Sequence, residues 1–182
     1  EKLSSLRKRH PSFTYKSYSC SFIKRDLLVS FHFKIPPNIE FRPKVVIKNV
    51  SKKGLREIEK GVLSNFVFHL GMMEIPSYWK ATCSPSIIIE AGLLNKKQLD
   101  WWKDLYIQGL GEFFYQNKID FIKPNFLRIV SNKKAVVNNH DRGYKRHLKK
   151  QILVPIGGGK DSSVTLELLK RSNMEQRPFL LN

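Results

Sequence analysis

An apolar strand, a glycine turn and a helical segment follow one another directly near the end of this 182-residue chain, and they constrain its fold more than any other feature. Ile152-Leu153-Val154-Pro155-Ile156 reads as the strand, and Gly157-Gly158-Gly159-Lys160-Asp161-Ser162 as the turn. Ser163 to Lys170, with Val164, Leu166, Leu168 and Leu169, reads as the helix. Glycines leave a backbone open to close approach by a polyphosphate. The N–H groups of such a loop and of the helix behind it point at the anion, and the helix dipole favours negative charge there. In this arrangement Lys160 adds a point charge and Asp161 supplies a carboxylate for a Mg2+ bridging phosphate oxygens. Ser162 and Ser163 offer hydroxyls to phosphate or to the helix start.

Two common phosphate loops are excluded by position. A Walker loop needs glycine five residues before the Gly-Lys pair and Ser or Thr after the lysine. Here those positions hold Val154 and Asp161. The dinucleotide pattern GxGxxG fits only as Gly157, Gly159 and Ser162, so its last glycine is missing. The stretch instead resembles the Ser-Gly-Gly-x-Asp-Ser loop of the PP-loop ATP pyrophosphatase superfamily. Gly158, Gly159, Asp161 and Ser162 match, and Gly157 replaces the usual first serine. That resemblance implies a parallel α/β domain of the adenine-nucleotide hydrolase type that splits ATP between its α- and β-phosphates. Gly157, Gly158, Gly159, Lys160, Asp161, Ser162 and Ser163 would hold the departing pyrophosphate, with Asp161 on Mg2+.

Upstream, periodicity predicts a different kind of domain. The stretch to about Pro11 is basic and polar and reads as frayed. Phe13, Tyr15, Tyr18, Cys20 and Phe22 alternate roughly with polar residues, and Val29, Phe31, Phe33 and Ile35 alternate strictly. This predicts two strands with a tip at Lys24-Arg25-Asp26 and a stop at Pro36-Pro37-Asn38. Val45 to Val50 reads as a third strand. Leu55 to Leu70 has helical spacing, with Gly71 and Pro76 bracketing its end. The Ile87-Ile88-Ile89 run is compatible with a strand or a buried helix. Asn95 reads as an N-cap, Asn117 as a C-cap, and Leu99, Trp102, Leu105, Tyr106, Leu110 and Phe113 as an apolar helix stripe between them. Gly109 and Gly111 interrupt that stripe at roughly 1 kcal/mol each and call for a close contact, a ligand or a break. The fold class is therefore α/β: an α+β domain over 13–130, a basic linker over 131–150, and the start of a truncated PP-loop domain over 151–182.

Three upstream segments carry a second resemblance. Phe68-His69-Leu70-Gly71-Met72-Met73-Glu74, Trp101-Trp102-Lys103-Asp104-Leu105 and Gly109-Leu110-Gly111-Glu112-Phe113-Phe114-Tyr115-Gln116-Asn117 precede the loop. Together they are similar to the bacterial UDP-N-acetylmuramoyl-L-alanyl-L-glutamate epimerase family. The likeness implies ATP-dependent inversion of the terminal glutamate of a UDP-muramoyl dipeptide during peptidoglycan precursor synthesis. An acyl-adenylate would be formed, and AMP and pyrophosphate released. Adenylation makes chemical sense, because it removes the carboxylate charge that opposes loss of the neighbouring α-proton to a general base. Glu112, beside two glycines, is the candidate acid or base, with a solvated helix face as its bland alternative. His69 reads as a core histidine, Trp102 as core and Trp101 as exposed. The truncated nucleotide domain would leave the chain inactive by itself.

Charge leaves the partner open. Lys and Arg number 33 against 15 Asp and Glu, a net charge of +18. Such a field attracts nucleotides and nucleic acid alike. A PP-loop enzyme modifying tRNA, with patches at Lys44–Lys60 and Lys133–Lys150, is the alternative, and a nucleotide-binding module without catalysis is a third reading. Two cysteines, Cys20 and Cys83, make neither a disulfide framework nor a zinc pattern. Apolar runs are too short to span a bilayer, and no secretory leader is legible, so a cytoplasmic protein away from membranes is expected.

Overall fold

The alternation beginning at Phe13 becomes a long antiparallel hairpin of β1 (Ser12–Ile23) and β2 (Asp26–Ile35), turning at Lys24 and Arg25. The computed structural model describes residues 2–51, 53–54, 60–131 and 150–180. On β2, Leu27, Val29, Phe31, Phe33 and Ile35 are all buried, as strict alternation requires. On β1 the inward residues change parity. Phe13 and Tyr15 are buried, whereas Tyr18 and Phe22 are the next to pack on the core. Tyr15 pairs with Phe33 but Ser17 with His32, so β1 spends one extra residue there. This bulge inverts the face on which later residues fall, and it is why the β1 pattern alternates only roughly.

The hairpin belongs to a mixed six-stranded sheet. Its order is β3-β2-β1-β5-β6, with β4 also paired to β2. The short strands β3 (Ile39–Phe41) and β4 (Lys44–Ile47) are antiparallel to β2. The isoleucine run resolves as β5 (Ser86–Ile89), parallel to both β1 and β6 (Arg128–Ser131). Where fraying was expected, α1 (Leu3–Arg9) forms. Arg7 holds it down by donating to the carbonyls of Cys83 and Phe126 and by lying 4.6 Å from the Phe126 ring centroid.

Helix α2 (Lys60–Trp79) passes straight through Gly71 and Pro76, which the sequence had placed at its end. Each residue has a tertiary reason. A Cβ on Gly71 would lie 2.1 Å from Tyr15 Oη, so only glycine lets α2 settle on the sheet there. Pro76 has no N–H to give the carbonyl four residues back, that of Met72. The buried Tyr106 hydroxyl donates to that carbonyl instead, at 2.6 Å. Tyr106 lies on α3 (Lys96–Gly109), so this bond also ties α3 to α2. Helix α3 starts with a full capping box: Asn95 Oδ1 accepts from Gln98 N–H, and Gln98 Oε1 from Asn95 N–H. The predicted long helix breaks at Leu110, and α4 (Gly111–Gln116) ends at Asn117. No atom lies within 4 Å of a Cβ built on Gly109 or Gly111, so these glycines serve the break rather than a close contact.

The chain divides into two units, Glu1–Arg142 and Gly143–Asn182. In the second, β7 (Gln151–Pro155) pairs in parallel with β8 (Glu175–Phe179), and α5 (Lys160–Arg171) connects them. Strand β8 begins three residues before the expected Pro178, and α5 three before Ser163. Val154 is buried, while Leu153, Val164 and Leu168 are exposed. A strand–helix–parallel strand unit is thus observed, within an overall mixed α/β fold. The basic stretch read as a linker, with most of its lysines, lies outside the described residues apart from its two ends.

Tyr106→Phe should destabilise the fold by about 1–3 kcal/mol in urea unfolding, because it leaves the Met72 carbonyl buried and unpaired. In a Pro76→Ala background the loss should shrink, since alanine at that position restores the backbone N–H that reaches Met72. Equal losses in both backgrounds would refute this link. Gly71→Ala should cost about 1–3 kcal/mol by overpacking Tyr15, whereas Gly109→Ala should be neutral or stabilising by up to about 1 kcal/mol.

Candidate functional site: a glycine loop and an aromatic groove

Between β7 and α5 the backbone makes an open loop. Gly158 has φ +79°, a left-handed conformation that L side chains rarely adopt. No protein atom lies within 4 Å of a Cβ built on Gly157, Gly158 or Gly159. Gly159 is the N-cap of α5, and no side chain caps the helix. The first N–H groups of a helix lack intrahelical partners, and here they stand beside three glycines with no side-chain cap. Gly157 N–H donates to Ser162 Oγ at 3.2 Å, folding the loop back over the helix start. Lys160, Asp161 and Ser163 are exposed, and Ser162 is half-buried. The arrangement can hold an anion on backbone N–H groups, with Lys160 and the Asp161 carboxylate close in sequence.

Among the described residues there is no group of three or more His, Cys, Asp or Glu placed to hold a metal ion. Mg2+ commonly takes only one or two carboxylates and completes its shell with phosphate oxygens and water. An uncrowded glycine cradle with one acidic residue in the first helical turn fits that pattern, and it does not fit a closed structural site.

The remaining candidates fall in the first unit. Glu112 lies on the exposed side of α4 and accepts from Gln116 Nε2 at 2.9 Å, one helical turn away. Tyr115 is also exposed. Trp102 is buried and Trp101 exposed, as their positions on the helix stripe predict. His69 is half-buried rather than enclosed. Its ring stacks on Trp102 at 5.8 Å and 14°, and burial holds it below the usual histidine range.

His69 also lines a groove of about 640 Å³ that the sequence reading did not find. Phe66, Leu70 and Met73 of α2 form one wall; Lys97 and Trp101 of α3 lie on the other, with Asn95 and Gln98. The signal was present in α2. Phe66, Leu70 and Met73 fall at i, i+4 and i+7 on one side, and Val67, Met72 and Ile75 are buried on another. A helix apolar on two faces has more than the sheet to cover it.

These features describe a mixed α/β protein with an open glycine loop at a helix start. The chain belongs to the MurL N-terminal domain family, whose model matches residues 4–182. It is 23% identical over 175 residues to a UDP-N-acetyl-alpha-D-muramoyl-L-alanyl-L-glutamate epimerase of Micromonospora sp., covering 96% of this chain and 38% of that protein. Two further proteins of the same name are similar. The one from Salinispora tropica is 25% identical over 96% of this chain and 37% of its own length. The one from Xanthomonas oryzae pv. oryzae is 32% identical over 55% of this chain and 21% of its own length. The chain thus spans little more than a third of the length of the Micromonospora and Salinispora proteins. No solved structure matches it. Among the described residues, no helix is long and apolar enough to cross a membrane.

A pH test follows from His69. In the unfolded chain a histidine titrates near 6.5, and in the fold His69 is harder to protonate. As pH falls through 6.5 the unfolded state takes up the proton first, so stability drops toward acid. The fall in Tm between about pH 7 and pH 5 should be smaller in His69→Gln; an unchanged slope would remove His69 as a contributor.

Proposed function

We propose that this chain is the N-terminal part of an ATP-dependent epimerase that inverts the terminal glutamate of UDP-N-acetylmuramoyl-L-alanyl-L-glutamate, and that Gly157 to Ser163 bind the phosphates of ATP. The observation that carries the reading is the uncapped start of α5 behind Gly158 at φ +79°, with open space where a Cβ would stand on each of the three glycines. The names of the similar proteins supply the substrate class and the epimerisation. The chemistry links the two. Charge on a glutamate carboxylate opposes formation of a carbanion beside it, and activation with ATP removes that charge before proton transfer.

In this reading the backbone N–H groups of the loop and Lys160 stabilise charge on the departing pyrophosphate. Asp161 would hold a Mg2+ that neutralises the same oxygens. Glu112 is assigned to proton transfer at the α-carbon. Both ATP and a nucleotide-linked precursor make this a cytoplasmic reaction, with no role for a membrane.

Pyrophosphate release, measured on protein expressed from the complete reading frame with ATP, Mg2+ and the UDP-muramoyl dipeptide, tests the reading. Release should depend on the dipeptide substrate, and Asp161→Asn should lower it at least a hundredfold without loss of fold. Release with tRNA but not with the dipeptide would replace the epimerase by an RNA-modifying enzyme. Glu112→Gln should retain pyrophosphate release while losing exchange of the α-proton in D2O; full exchange would take Glu112 out of the chemistry.

A further inference from the structure

The groove between α2 and α3 belongs to the first unit alone, and it is built unlike an ordinary surface. Phe66, Met73 and Trp101 are each more than half exposed, at 57%, 56% and 58%, and they converge on one concavity. Large apolar side chains gathered on one patch mark a binding surface rather than solvent-facing filler. The walls are mainly flat rings. Trp101 meets Trp102 edge to face at 4.8 Å, and His69 lies parallel to Trp102. Flat, rigid rings favour a planar aromatic ligand over a flexible chain.

The groove's own surface is almost wholly apolar, and Asn95, Lys97 and Gln98 line it with little of their polar atoms showing inside. Asn95 and Gln98 each spend their side-chain oxygen in the capping box, on Gln98 N–H and Asn95 N–H respectively. What each amide retains in full is its NH2 group, a donor. Lys97 adds an ammonium, also a donor and positively charged. A ligand whose ring lies in the apolar groove and whose acceptors and negative charge reach past its edge would meet these donors. A ring bearing carbonyl oxygens, joined to phosphate, has both.

We propose that the α2–α3 groove seats the base of a pyrimidine nucleoside diphosphate, stacked against Trp101 and Phe66, with Lys97 at its phosphates. The choice of a pyrimidine rests on the epimerase reading, whose substrate is UDP-linked. The groove lies wholly in the first unit and the loop in the second, so each can be disabled separately.

Titration of the protein expressed from the complete reading frame with UDP, followed by tryptophan fluorescence and calorimetry, tests the assignment. UDP should bind, and uridine should bind more weakly at the same place. Trp101→Ala and Phe66→Ala should each weaken UDP at least tenfold, with Trp101→Phe restoring most of the affinity. Lys97→Ala should weaken UDP but not uridine, and Asp161→Asn should change neither. Circular dichroism and the melting midpoint of each variant guard against loss of fold, and Trp101, being exposed, is the safest of these sites.

UDP binding that is absent, or indifferent to Trp101 and Phe66, overturns the seat even if pyrophosphate release with the dipeptide substrate persists. ADP displacing UDP from Trp101 with higher affinity overturns the pyrimidine assignment. Self-association that Trp101→Ala abolishes, with no effect on UDP, makes the groove an interface between copies and also overturns it. Conversely, Trp101-dependent UDP binding without any dipeptide-driven pyrophosphate release keeps the seat and removes the epimerase reading.

Discussion

The hydroxyl of Tyr106 on the carbonyl of Met72 is the contact on which the helical layer of the first unit depends. Proline at position 76 deprives that carbonyl of its helical partner, and a buried carbonyl without a donor is costly. The donor arrives from α3, so a defect in α2 becomes the point where the two helices are joined. A neighbouring concession works the same way. Gly71 gives up helix propensity and lets α2 approach Tyr15, whose ring stacks on Phe68 at 5.8 Å and 4°. With α2 fixed to the sheet by one and to α3 by the other, Phe66, Leu70 and Met73 are left facing Trp101. The groove is a consequence of how α2 is anchored.

This anchoring explains where the sequence was legible. The hairpin could be read because alternation is local, and its single irregularity, the change of parity after Tyr15, is a bulge that one strand cannot reveal without its partner. Gly71 and Pro76 were read as a helix end because local rules penalise both. Packing outweighs those rules here: a close approach to Tyr15 and a hydroxyl from a residue thirty-four positions ahead. Strand β6 was missed because four residues carry too short a pattern. The N-terminal helix was missed because Arg7, which holds it, finds its carbonyl partners at Cys83 and Phe126, far along the chain.

The two sites divide along the same line. The loop was legible because its geometry is written in consecutive residues: glycines for an unobstructed, left-handed backbone, then a helix start. Its geometry requires little from the rest of the molecule. The groove needs side chains from two helices, so no window of the sequence contains it. Trp101 and His69 were each noticed singly, but what makes them a surface is Phe66 and Met73 opposite. Glu112 illustrates the converse. It stands out in sequence between glycines and aromatics, yet its neighbour in space is Gln116 on its own helix.

Positive charge links the sites without specifying either. The few acids of the first unit are crowded by bases: Glu40 contacts Lys34, His32 and Arg42, and its carboxyl is held down to about 2 by Lys34 first and His32 next. Asp26 is bonded by Lys48, and Glu90 by Lys16. With 33 basic side chains against 15 acidic ones, such pairings leave a large cationic excess. That excess draws anions from solution, but salt screens it beyond about 8 Å at physiological strength. Choice among anions must therefore be made at contact. Lys160 beside the glycine cradle and Lys97 beside the aromatic groove supply contact charge in two different settings. One is open backbone suited to a bare polyphosphate, and the other is ring faces suited to a base. In the proposed reading the same electrostatic field serves two nucleotides, and the local surfaces keep them apart.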